Sequence, residues 1–272
     1  MNKGKQHRTG RRAAAQGWLR TLLAWAVHFY TALGLVAAAG ITMLVVQGKP
    51  ESFRWAFVLM LVATLIDATD GTLARAIRIK EVLPGFDGRR LDDIVDFLTY
   101  TSLPLFLIWR AQLLPAGYQA WLLLPLLASA YGFCQVSAKT DDGYFLGFPS
   151  YWNLVAFYLY VLQPLPGWLT VGLVVGLALL TFVPSRYLYP SQRGRLNRVT
   201  NVLGVAWAGL LVWVLCLLPE GGPTEMPENH SARQLALLSL YFPIYYMVAS
   251  WVISLRVWRK RRLPRQMGTA LS

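Results

Sequence analysis

The sequence predicts an all-α integral membrane protein, a bundle of about eight transmembrane helices. Three observations carry that expectation. Of the 272 residues, 56% are hydrophobic and only 14% are charged, whereas soluble domains carry roughly 25% charged residues. The mean hydropathy is +0.42. Breaks at charged or Pro/Gly-rich points then leave stretches close to the ~20 residues that cross a ~30 Å hydrocarbon core. A β-barrel would need alternating ~10-residue segments, and runs such as LLVWVLCLL are apolar on both faces. No length remains for a separate soluble domain.

Lys3, Lys5, Arg8, Arg11 and Arg12 open a basic arm over 1–21. It has the charge of a signal peptide's start, but the apolar run 22–47 behind it is too long for one and reads as a retained first span. The stretch around Lys49 and Pro50 leads to the second span, 54–79, and a charged segment leads to the third, 92–114. Pro115 and Gly117 precede the fourth, 118–138, and the segment DDGYFLGFPS precedes the fifth, 149–164. Pro164, Pro166 and Gly167 divide it from the sixth, 168–185. A basic loop then leads to the seventh, 197–218. PEGGPTEMPENHSAR, Pro/Gly-rich and acidic, is an exposed loop without catalytic residue types before the eighth span, 235–257.

With both termini on one side, all of the 26 Lys and Arg except Lys49, Arg54, Arg110 and Arg233 fall on that side. Basic residues collect in the cytoplasm, so both termini are expected there. The net charge of +13 is spread over short segments beside Trp and Tyr. That pattern suits anionic lipid headgroups and not nucleic acid. The arm with Trp18 and Leu19, and the tail RVWRKRRLPR, read as surface anchors. Cys134 and Cys216 lie in different apolar stretches, so neither a disulfide nor a zinc site is expected.

Six aspartates, Asp67, Asp70, Asp87, Asp92, Asp93 and Asp96, fall within 30 residues together with Glu81, seven of the 13 acidic residues. A charged Asp at the centre of a membrane helix costs at least ~2.5 kcal/mol, so such residues usually mark function. At about 100° per residue, Asp67, Asp70, Gly71, Ala74 and Arg75 share one helix face. Asp92 and Asp96 share another, with Gly88 one turn earlier. Two antiparallel helices would bring four carboxylates together, an all-oxygen set suited to Mg²⁺ or Mn²⁺. Gly71 and Ala74 leave a groove, and Arg75 can take a phosphate bidentately. Together these features read as a phosphoryl-transfer site. Interhelical pairing with Arg75, Arg78, Arg89 or Arg90 is the plainer account; it covers Asp87, Asp93 and Glu81 but not a ladder of four aspartates with small residues between. His7 and His230 fall in exposed segments, and His28 reads as a packed polar residue.

Asp67-x2-Asp70-Gly71-x2-Ala74-Arg75 followed by Gly88-x3-Asp92-x3-Asp96 resembles the signature of the CDP-alcohol phosphatidyltransferases. The resemblance implies a six-helix catalytic core over 22–185, with two additional helices and a basic tail in 186–272. It implies two divalent ions, Mn²⁺ or Mg²⁺, on Asp67, Asp70, Asp92 and Asp96, with Asp96 also the general base. Asp67, Gly71, Ala74, Arg75 and Gly88 would line the nucleotide groove, and Thr31 in HFYTALG matches a family position near it. The substrate would be CDP-diacylglycerol, with its acyl chains among membrane lipids. Dimerisation is common in the family; the sequence marks no interface.

Twelve residues separate Arg75 from Gly88, longer than the family's common spacing. That spacing, the two extra spans and the stretch DDGYFLGFPSYWN resemble the branch of the family whose acceptor is choline. A quaternary ammonium is selected by aromatic faces, each worth ~0.5–2 kcal/mol. Tyr144, Phe145, Phe148, Tyr151, Trp152, Tyr187 and Tyr189 gather at the cytoplasmic ends of spans five and six, beside Asp141 and Asp142. Tyr144, Tyr151, Trp152, Tyr187 and Asp142 are the choline candidates; an interfacial aromatic belt is the competing account. Asn153 supports that pocket or bonds a neighbouring helix. Two other functions stay open at this point. One is transfer to serine, inositol phosphate or glycerol 3-phosphate, for which Arg186, Arg193, Arg195 and Arg198 would serve. The other is a cation transporter.

Overall fold

The computed structural model describes residues 3–136, 144–188, 195–225 and 230–262, without the side chains of 3–16, 195–196 and 260–262. Two compact units result, Met1–Leu107 and Ile108–Ser272.

The first unit is built on two long helices, α1 (Lys3–Gln47) and α2 (Pro50–Ile77). Both bury one stripe at steps of three and four. In α1 it runs through Ala24, Val27, His28, Thr31, Ala38, Ile41 and Val45; in α2 it runs through Phe53, Ala56, Phe57, Met60, Ala63, Ile66 and Asp70. The opposite faces are also apolar, with Phe29, Val36, Met43, Trp55 and Leu65 exposed, as expected of helices that meet lipid. The basic arm continues α1 without a break. Pro50 in the first turn of α2 needs no N–H partner there.

At its far end α2 stops where Arg78 turns left-handed, with φ 55° and ψ 50°, and its N–H returns to the carbonyls of Ala74 and Arg75. The one-turn helix α3 (Ile79–Val82) and the segment 83–87 bring the chain back to α4 (Gly88–Asp96). The Asp87 carboxylate caps α4 by accepting from the backbone N–H groups of Arg89 and Arg90. The helical run passes directly into a π-helical turn, Phe97–Ser102, and then into α5 (Leu103–Arg110). Close approach of α4 to α1 depends on two glycines. Added Cβ atoms at Gly34 and Gly88 would overlap Val95 and the imidazole of His28 respectively. Gly34→Ala is therefore expected to cost about 1–3 kcal/mol by overpacking, read as a lowered melting temperature of the purified protein.

In the second unit a 3₁₀ turn, Gln119–Leu122, leads into α6 (Leu123–Cys134), followed by α7 (Trp152–Val161), α8 (Gly167–Leu180), α9 (Arg195–Leu217), α10 (Ser231–Ser239) and α11 (Tyr241–Arg262). α7 is buried at every residue except Leu154, which is half-buried. Its polar groups are paired: the Trp152 indole N–H donates to Ser129 Oγ at 2.9 Å, and Tyr158 Oη receives the Trp207 indole N–H at 2.9 Å. The Tyr158 and Ser239 hydroxyls share a further hydrogen bond. Cys134 and Cys216 are both free.

The loops flanking α7 and α8 also contain a short antiparallel ribbon, β1 (Tyr144–Leu146) with β2 (Arg186–Leu188), beyond the helices that hydropathy reveals. At Gly147, where φ is 83° and a Cβ would overlap the Thr181 carbonyl, only glycine fits. α11 closes the outer edge of β2. Ser254 Oγ and Ser250 Oγ accept from the N–H groups of Arg186 and Leu188, and the Tyr246 hydroxyl donates to the Leu188 carbonyl.

Among the described residues, four helices are long and apolar enough to cross a membrane: Gly17–Gln47, Pro50–Ile77, Asn197–Leu217 and Ser231–Arg259. The expected spans 118–138, 149–164 and 168–185 correspond to the shorter apolar helices Gln119–Cys134, Trp152–Val161 and Gly167–Leu180. The expected span 92–114 corresponds to the helical run over 88–110, whose first turns are heavily charged.

Candidate active site

The buried stripes of α1 and α2 both continue into polar residues, and the chemistry begins there. Asp70 follows Ala63 and Ile66 on the packed face of α2 and is 6% exposed; Thr31 continues the stripe of α1. The two meet, with the Thr31 hydroxyl donating to Asp70 Oδ2 at 2.8 Å. α4 lies against α1 and supplies Asp92 and Asp96 from one face. One carboxylate oxygen from each of Asp67, Asp70 and Asp92 lies within 4.8 Å of the other two. The fourth aspartate, Asp96, is acted on electrostatically by Asp67, Asp92, Asp70 and Asp93, and its Oδ1 is shielded from solvent without a hydrogen-bond partner.

Like charges ~5 Å apart repel by about 3–4 kcal/mol at an effective dielectric of ~20. A cluster of this kind, with a shielded and unbonded carboxylate oxygen, fits a hard divalent cation with oxygen ligands, and its separations are compatible with carboxylates converging on shared ions.

The other expected groove residues flank the cluster. Gly71 and Ala74 are half-buried on α2. Arg75 is exposed and donates to Thr72 Oγ1 at 3.0 Å along its own helix, with its guanidinium beside Gly71. Gly88 packs on His28, which also contacts the Phe86 ring at 4.4 Å between centroids. Glu81 and Asp87 sit in surface pairs with Arg78 and Arg90, at 4.0 and 3.3 Å. Asp93 is half-buried.

One residue of the cluster escaped sequence reasoning. The Tyr100 hydroxyl donates to Asp67 Oδ2 at 2.7 Å. Its spacing, four residues after Asp96 and eight after Asp92, carries the signal that would have found it.

In the second unit the aromatic candidates pack with one another. Trp152 and Tyr187 are fully buried. Phe148 touches both edge-on, Tyr187 stacks on Tyr246 at 6.2 Å, and Tyr151 meets Tyr246 edge-on at 6.1 Å. Tyr144 carries the Arg186 guanidinium over its ring at 5.6 Å. Asn153 is buried, and its Oδ1 accepts from the N–H of Leu154. Asp142, with Asp141, Tyr189 and Arg193, lies outside the described residues.

A family model described as CDP-alcohol phosphatidyltransferase matches residues 22–182. The chain is 35% identical over 243 residues to the phosphatidylcholine synthase of Pseudomonas aeruginosa, covering 88% of this chain and 92% of that protein. It is 30% identical over 235 residues to the phosphatidylcholine synthase of Borreliella burgdorferi, covering 85% and 94%. With that of Legionella bozemanae it shares 40% identity over 157 residues, covering 56% and 72%.

Proposed function

The chain belongs to the CDP-alcohol phosphatidyltransferase family, and from that premise we propose that it is a multi-pass membrane enzyme making phosphatidylcholine. It transfers the phosphatidyl group of CDP-diacylglycerol to the hydroxyl of choline and releases CMP. The observation that carries the reading is the meeting of Asp67, Asp70 and Asp92 across α2 and α4, with Asp96 beside them. The resemblance to phosphatidylcholine synthases over most of the chain supports choline as the acceptor.

Asp67, Asp70, Asp92 and Asp96 would hold two divalent ions, Mn²⁺ or Mg²⁺, which would supply neutralisation of the diphosphate and of the departing CMP. Gly71 and Ala74 keep the neighbouring surface of α2 low, so that a nucleotide can approach the backbone; Arg75 swings from Thr72 to a phosphate. Gly88 and Thr31 complete the groove. Asp96 takes the proton of the choline hydroxyl as that oxygen attacks the β-phosphorus, and the bond from phosphorus to the CMP oxygen breaks. Residues 22–185 form the catalytic core. The chain crosses a bacterial inner membrane about eight times with both termini in the cytoplasm, and it functions as a homodimer.

The trimethylammonium group is recognised by Tyr144, Tyr151, Trp152, Tyr187 and Asp142. Tyr151→Leu, which removes a half-buried ring, is expected to raise the choline KM ~3–30-fold by the range of cation–π energies. The KM for CDP-diacylglycerol stays unchanged; a ring that merely packs would lower protein yield instead. Labelled choline, serine and glycerol 3-phosphate, each supplied with CDP-diacylglycerol and resolved by thin-layer chromatography, test the acceptor. Choline alone should enter lipid. Preferred labelling from glycerol 3-phosphate or serine would reassign it and give Arg186 an anionic acceptor to bind.

A further inference from the structure

We infer that Tyr100 is a positioning residue of the metal site, acting through Asp67. The inference rests on the reading of Asp67 as a metal ligand. Tyr100 stands on the π-helical turn that follows Asp96, and its side chain is 8% exposed. Its hydroxyl reaches across to α2 and donates to Asp67 Oδ2 at 2.7 Å. Such turns concentrate at functional positions because they re-aim the residues they carry.

A carboxylate on a helix rotates about its terminal bond, and each orientation offers an ion a different oxygen. A hydroxyl held on Oδ2 fixes the plane of the group, and with it the direction in which the carboxylate faces the cluster. Tyrosine is suited to holding it, because it donates a hydrogen bond without adding a positive charge that would compete with a cation. The opposite end of α2's acidic pair is treated in the same way, with Thr31 of α1 donating to Asp70 Oδ2 at 2.8 Å. Each α2 carboxylate therefore has one oxygen tied to a hydroxyl of a neighbouring helical segment. Partners of this outer kind hold ligands in place, and their loss typically lowers metal affinity or activity 10–100-fold.

The test is a Mn²⁺ titration of purified protein in nanodiscs, followed by electron paramagnetic resonance without substrate. Four forms are compared: wild type, Tyr100→Phe, Asp67→Asn and the double variant. Tyr100→Phe should weaken Mn²⁺ binding at least ~10-fold, while its melting temperature in EDTA matches wild type. In the Asp67→Asn background it should cause no further loss, because the residue through which it acts is already altered. Mn²⁺ affinity within about twofold of wild type overturns the inference, as does a full additional loss in the double variant. A drop in affinity matched by a drop in the EDTA melting temperature likewise overturns it in favour of plain packing. Wild type that binds no Mn²⁺ refutes the metal-site reading itself, and this inference with it.

Discussion

Asp70→Ala is expected to abolish phosphatidyl transfer while the protein still inserts and keeps its helical content. Asp70 is buried at the end of the packed stripe of α2, with Oδ2 accepting from Thr31 and a carboxylate oxygen within 4.8 Å of those of Asp67 and Asp92. On the proposed two-metal reading, removing it would delete a charged ligand that water cannot replace electrostatically. Asp67→Ala and Asp92→Ala should behave alike, because the three oxygens form one mutually close set. Turnover by purified variants, beside circular dichroism of the same samples, checks the expectation. Normal activity in any two of the three would refute a shared metal site. Relieving repulsion within the cluster should, if anything, raise the stability of each variant in EDTA, which separates lost chemistry from lost folding.

Asp96→Asn is expected to have the second-largest effect, a fall in kcat of ~10²–10⁴, the range for a lost general base. The substitution keeps the size and polarity of the side chain at a position where Oδ1 is shielded and unbonded. CDP-diacylglycerol binding should be largely retained. If it collapses with kcat, Asp96 serves chiefly as a metal ligand and the proton goes to another group. Single-turnover measurements with prebound CDP-diacylglycerol distinguish the two.

Helical periodicity made the carboxylate face legible. Because α2 and α4 are regular helices, the spacings of Asp67 and Asp70, and of Asp92 and Asp96, were enough to align each pair. Thr31 was placed near the groove by resemblance; its bond to Asp70 depends on the way α1 packs against α2. Tyr100 continues the same face, but the motif ends at Asp96 and nothing in a hydropathy pattern announces the π-helical turn that carries it. The long spacing between Arg75 and Gly88 is absorbed by α3 and the segment 83–87, which ends in the α4 cap Asp87, a matter of turn geometry.

The aromatic residues were less legible for a different reason. Composition identifies rings at a membrane interface, whereas burial of Trp152 and Tyr187 against Phe148 and Tyr246 is a product of tertiary packing. The ribbon of β1 and β2 was hidden as well, since each strand is three residues long and its outer edge is satisfied by serines of α11, far along the chain.

The most direct measurement of the central claim is a balance of products from the purified protein in liposomes containing CDP-diacylglycerol, supplied with labelled choline. Phosphatidylcholine and CMP should appear in equal amounts, cease on addition of EDTA and resume with Mn²⁺. Labelled choline accumulating inside the vesicles, with neither CMP nor labelled lipid formed, would contradict the account and make the aspartates a path for cations.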